Sequence, residues 1–72
     1  MHRFKKGDIV VLTDNEGLVA NVGAEAEVNG WCGKWLRVKW IKNHNGQKDG
    51  GYDPNRFKLK KEIDLLEMKY DP

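Results

Sequence analysis

The eight residues Trp35 to Lys42, reading Trp-Leu-Arg-Val-Lys-Trp-Ile-Lys, constrain the fold more than any other stretch of the chain. Leu36, Val38 and Trp40 alternate with Trp35, Arg37, Lys39 and Ile41. A period of two is the signature of a strand, because successive side chains leave a pleated backbone on opposite faces. One face here is aliphatic and aromatic, the other largely cationic. Such a strand needs a sheet around it and a core beneath it.

The rest of the chain supplies the partners. Lys5-Lys6-Gly7-Asp8 reads as a turn into Ile9-Val10-Val11-Leu12-Thr13, a β-branched first strand. A long loop follows, with Gly17 and Gly23 marking changes of direction. Ala24, Ala26 and Val28 then alternate with Glu25 and Glu27 as a half-buried second strand. Asn29-Gly30 is a strong tight-turn signal and Gly33-Lys34 a competing one, so a hairpin tip is predicted within residues 29–34. After the Asn43–Gly46 and Asp49–Gly51 turn clusters, a short fourth strand starts near Gly51-Tyr52. Pro54 ends it and suits one helical turn before Phe57-Lys58-Leu59-Lys60, the fifth strand. The pattern predicts a mainly β domain over residues 1–61 and an amphipathic tail over 62–72, short and helical or extended. In the tail Ile63, Leu66 and Tyr70 share one helical face while Leu65 and Met68 share another. Packing against the sheet, binding a partner and weak dimerisation all fit that pattern.

Seventy-two residues with one cysteine, Cys32, make one small domain without an internal disulfide. A reducing cytoplasm is the expected setting. The longest aliphatic run, Ile9 to Leu12, is too short to span a bilayer, and the charged start Arg3-Phe4-Lys5-Lys6 leads into no signal core. Membrane insertion is not expected. Net charge is +2, distributed unevenly. Residues 1–33 hold three basic and five acidic side chains, residues 34–61 nine and two, residues 62–72 one and four. The centre is a basic island.

Gly51-Tyr52-Asp53-Pro54-Asn55-Arg56-Phe57 resembles the passage from strand four to strand five in SH3-like barrels, where a glycine, an aromatic, a proline and a closing aromatic recur. Lys6-Gly7-Asp8-Ile9-Val10 is similar to the start of strand one in that superfamily. Val22-Gly23-Ala24-Glu25-Ala26-Glu27-Val28 is similar to its second strand, as in KOW-type and Mind-bomb-type barrels. The likeness covers residues 4–60 and implies a single five-stranded SH3-like barrel with a binding role. The alanine-leucine-tyrosine-aspartate-tyrosine signature of peptide-binding SH3 domains is absent, as is an adjacent tryptophan pair opening strand three, so a proline-rich ligand is not implied. The whole chain also resembles the small accessory proteins that bacteriophages encode.

Catalysis has no constellation in the sequence. Cys32, His2 and His44 lack metal-ligand spacing, and there is no serine. Thr13 is the one threonine, without an identifiable base. Cys32 reads as a small buried filler and His44 as an exposed turn residue. Asp49 and Asp53 bracket Gly50-Gly51 and are the one pair to weigh for acid-base work or a hard cation, but two carboxylates are too few for a calcium loop. Neither Gly30-Trp31-Cys32-Gly33 nor Gly50-Gly51 opens a phosphate-binding helix. No enzyme, cofactor or metal is expected.

Binding remains. Three tryptophans exceed what so small a core absorbs; Trp40 belongs inside, while alternation places Trp35 outside beside Arg37 and Lys39, and Trp31 at or near the hairpin tip. A protein hot spot built from Trp31, Trp35, Tyr52 and Arg56 is one reading. A nucleic-acid platform is the alternative, with a base on Trp35 and phosphates on Arg37, Lys39 and Lys42. Nearly balanced overall charge ranks the protein partner first. Trp35 covering barrel surface under solvated lysines is the plain structural alternative.

Overall fold

A computed structural model describes residues 3–63. The turn before the first strand forms because the Asp8 carboxylate accepts a hydrogen bond from the Lys5 amide at 2.8 Å, while Gly7 takes φ 96° between them. It delivers β1 (Ile9–Leu12), whose Val10 and Leu12 are fully buried. β2 (Glu25–Cys32) and β3 (Trp35–Lys42) form the long central hairpin, with Gly33-Lys34 as its turn. β4 (Gly50–Tyr52) and β5 (Phe57–Leu59) flank a single 3-10 turn at Pro54–Arg56. That turn is capped by the Asp53 side chain, which accepts from the Asn55 amide at 2.9 Å. Helical backbone begins at Lys60, two residues earlier than the predicted tail; residues 64–72 of that tail lie outside the described residues.

The strands make one antiparallel sheet in the order β4-β3-β2-β1-β5. The fold is mainly β with a short C-terminal helix, as the alternation predicts, but the sheet is not closed. Both β4 and β5 are edges. Rings rather than backbone hydrogen bonds hold them near each other: Tyr52 of β4 meets Trp40 edge-on at 5.6 Å, and Phe57 of β5 lies 5.8 Å from Trp40. Three aromatic rings therefore stand where a fifth ladder would close a barrel. Burying each such ring contributes roughly 1.5–3 kcal/mol. The remaining core is aliphatic apart from Phe4, with Val10, Leu12, Ala20, Ala24, Ala26, Val28, Leu36 and Val38.

Asn29-Gly30 is not the hairpin turn. Val28 pairs with Val38 and Gly30 with Arg37, so Asn29 is an extra residue in β2, a β-bulge that Gly30 accommodates at φ 126°. One inserted residue reverses the alternation beyond it. Trp31 accordingly pairs with buried Leu36 and packs on the core, its indole N–H donating to the Phe4 carbonyl at 3.0 Å. Cys32, expected inside, is exposed opposite Trp35 for the same reason. A second bulge lies at Ile41, between the pairs Ala26 with Trp40 and Glu25 with Lys42. There the Asp49 carboxylate accepts from the Trp40 amide at 2.9 Å.

The long loop is ordered by side-chain amides. Gln47 accepts from the Val19 amide at 2.8 Å, Asn45 donates to the Val19 carbonyl at 3.0 Å, and Asn15 donates to the Ala20 carbonyl at 3.0 Å. These bonds bring the loop against residues 43–47 and seat Ala20 in the core. His44, expected to be exposed, is half-buried and stacked on Trp40 at 6.4 Å.

Candidate binding face

The seven residues singled out in the sequence divide into two sets. Trp35, Arg37 and Lys39 alternate outward along β3 and are exposed, roughly 7 Å apart by strand rise. Trp31 points inward to Phe4. Tyr52 packs on Trp40 and Phe57 with its hydroxyl between Gln47, which donates to it, and the Lys48 carbonyl, which accepts from it. Arg56 is turned toward the first loop, donating to the Asp14 carbonyl at 3.1 Å and lying 3.7 Å from its carboxylate. The fourfold cluster of Trp31, Trp35, Tyr52 and Arg56 is thus not a contiguous patch.

Lys42 is exposed but engaged. Its ammonium lies 3.3 Å from Glu25, and that carboxylate also receives Lys60 at 3.1 Å. Burial pushes the Glu25 carboxyl up, but hydrogen bonds and charge from Lys60 and Lys42 outweigh it and hold its pKa below the ordinary glutamate value. The hub exists because β2 stands between β3 and β1, with β5 beyond β1, so Glu25 is reached from both sides. By contrast Lys34, Arg37 and Lys39 take part in no ion pair among the described residues.

Trp35 is 46% exposed. The Lys34 ammonium, on the hairpin turn, stands 5.1 Å from the centre of its ring, a cation–π contact of about 0.5–1 kcal/mol at an exposed site. The base of the Trp35 side chain also stands against Gly51, where an added Cβ would come 3.1 Å from the Trp35 Cβ. Arg37 is paired with Gly51 on β4 and Gly30 on β2, so no neighbouring side chain flanks it in either register position. Cys32, Trp35, Arg37, Gly50 and Gly51 line a shallow open cavity of about 420 Å³. Sequence reasoning missed Lys34 and the glycine floor. The run Gly33-Lys34-Trp35 carried a signal for the first, and Gly50-Gly51 for the second, but only pairing shows that both converge on Trp35.

Asp49 and Asp53, weighed as an acid-base pair, each hold a backbone amide. Among the described residues, no group of three or more His, Cys, Asp or Glu gathers to hold a metal ion, and no helix is long and apolar enough to cross a membrane. Comparison of the chain with protein-family models, curated proteins and solved structures finds no match.

Proposed function

We propose that this chain is a non-catalytic, SH3-like binding module, in the style of small phage-encoded accessory proteins of the host cytoplasm, and that it engages a macromolecule through the Trp35 face. The strand order and the 3-10 turn before β5 support the SH3-like reading. The observation that carries the binding role is the exposure of Trp35 on a strand whose three inward residues, Leu36, Val38 and Trp40, are all buried. Nearly half of the Trp35 surface stays in solvent although its Cβ packs against Gly51, and tryptophan is among the residues enriched where binding energy concentrates at interfaces.

Composition ranks a protein partner first. The geometry supports a different order, because Trp31, Tyr52 and Arg56 are committed within the fold while Trp35 keeps company with uncommitted cations. The experiment is affinity capture with the immobilised chain and its Trp35→Ala variant, reading both protein and nucleic acid recovered. Material retained by the parent and lost by the variant supports the face; recovery identical for both chains rejects it.

A further inference from the structure

We infer that the partner of this face is a single-stranded nucleic acid, one base stacking on Trp35 while neighbouring phosphates are met by Lys34, Arg37 and Lys39. The inference rests on the reading of Trp35 as the contact and goes on to assign the partner's chemistry.

Three observations converge. The exposed indole is flanked along the chain by cations that form no ion pair among the described residues, Lys34 on one side and Arg37 and Lys39 on the other. Their spacing follows the strand, so the positive charge forms a line that an extended backbone can track. The glycines at 30 and 51, which pair with Arg37, set no cross-strand side chain beside it and leave room for a sugar-phosphate. Two carboxylates lie near this line. Glu27 is exposed opposite Lys39, and Asp49 has one oxygen engaged by the Trp40 amide.

An acidic peptide would also answer the cations, but it fits the centre of the site poorly. The face of an aromatic ring is electron-rich and repels a carboxylate, whereas a nucleobase presents a π-face of its own and stacks. Stacking outweighs the cation–π contact of an exposed lysine. The arriving base therefore takes the ring, and the Lys34 ammonium swings on its flexible stem to a phosphate. A duplex keeps its bases stacked on one another and offers no free face to an indole, so the single strand is the form recognised.

The test is fluorescence anisotropy with labelled oligothymidylate and oligouridylate of about 12 nucleotides, a length within the range bound by single small barrels, and with a duplex of equal length. Both single strands are expected to bind and the duplex to bind less well. With three phosphates met on a single strand, affinity should fall roughly 20-fold between about 50 and 200 mM salt. Trp35→Ala should weaken binding by about 5- to 150-fold, and Trp35→Phe should retain most of it. Lys34→Met and Arg37→Gln should each flatten the salt dependence. Circular dichroism checks that every variant is folded.

Absence of single-strand binding at low salt, equal binding by Trp35→Ala, or a duplex preferred over single strands would each overturn the inference. The capture experiment separates this failure from that of the broader reading. Recovery that depends on Trp35 but resists nuclease would leave the face in place and assign it to a protein, whereas recovery independent of Trp35 would remove both.

Discussion

Gly51 lies beneath the Trp35 side chain so closely that a single added carbon would stand 3.1 Å from the Trp35 Cβ and 3.8 Å from its Cγ. The indole keeps its pose on the outer sheet face because the neighbouring strand offers bare backbone there. Gly51→Ala should therefore shift Trp35 by a few tenths of an ångström without unfolding the sheet. Relief of glycine's conformational freedom contributes about 0.5–1 kcal/mol in the opposite sense, so net stability should change by less than about 1 kcal/mol. Gly51→Val should displace the ring further and weaken binding at this face. Urea denaturation together with the Trp35 indole resonance measures both effects; an unmoved resonance in the valine variant would contradict the contact.

Trp31 is a structural residue in spite of its place near the hairpin tip. Trp31→Phe keeps most of the packing but removes the N–H that serves the Phe4 carbonyl, and should cost about 1 kcal/mol. Trp31→Ala should cost more, on the order of 2–4 kcal/mol, since the indole is partly buried against the core. Denaturant titration reads the stability, and oligonucleotide affinity per folded molecule should stay unchanged in the phenylalanine variant.

The Glu25 hub makes stability depend on pH in a definite sense. Its folded pKa is lowered, so the native state binds fewer protons than the unfolded chain between the folded value and the ordinary glutamate value near 4.5. Stability from the hub is therefore fully present above that ordinary value and is lost as pH falls through the folded pKa. Glu25→Gln should be less stable than the parent near neutrality by about 0.5–1 kcal/mol, the scale of partly exposed ion pairs, with the difference closing in acid. Thermal unfolding across pH 2 to 7 tests this, and about 1 M salt should narrow the gap at neutral pH by screening.

Asp49 secures the bulge at Ile41. Asp49→Ala leaves the Trp40 amide without its acceptor and should cost about 1–3 kcal/mol, seen as a drop of several degrees in melting temperature. Asp49→Asn retains an oxygen in place and should lose less. Equal losses for both variants would show that charge, rather than the hydrogen bond, is what this position contributes.

Most of the fold was legible from period and punctuation. Ala26, Val28, Leu36, Val38 and Trp40 fall on one face in the sequence and are buried in the sheet, and the Asp53-Pro54 turn lies where proline chemistry places it. The candidate face was legible only in part. Trp35, Arg37 and Lys39 follow directly from alternation, whereas Trp31, Tyr52 and Arg56 carried the composition of a hot spot but not its position. Composition has no memory of which way a side chain faces. The ion pair of Lys42 was not legible, because its partner Glu25 is remote in sequence and adjacent only through the β2 and β3 register.

What the amino-acid order determined alone is the set of strands and their two faces, because alternation is a property of neighbouring residues and needs no knowledge of the rest of the chain. What the tertiary structure decided is phase and company. An extra residue at Asn29 turns Trp31 in and Cys32 out, since whether Asn-Gly becomes a turn or a bulge depends on how β3 pairs across from it. The same pairing sets glycines beside Trp35 and Arg37 and a carboxylate beside Lys42, and so separates the cations free to meet a ligand from those held by the fold.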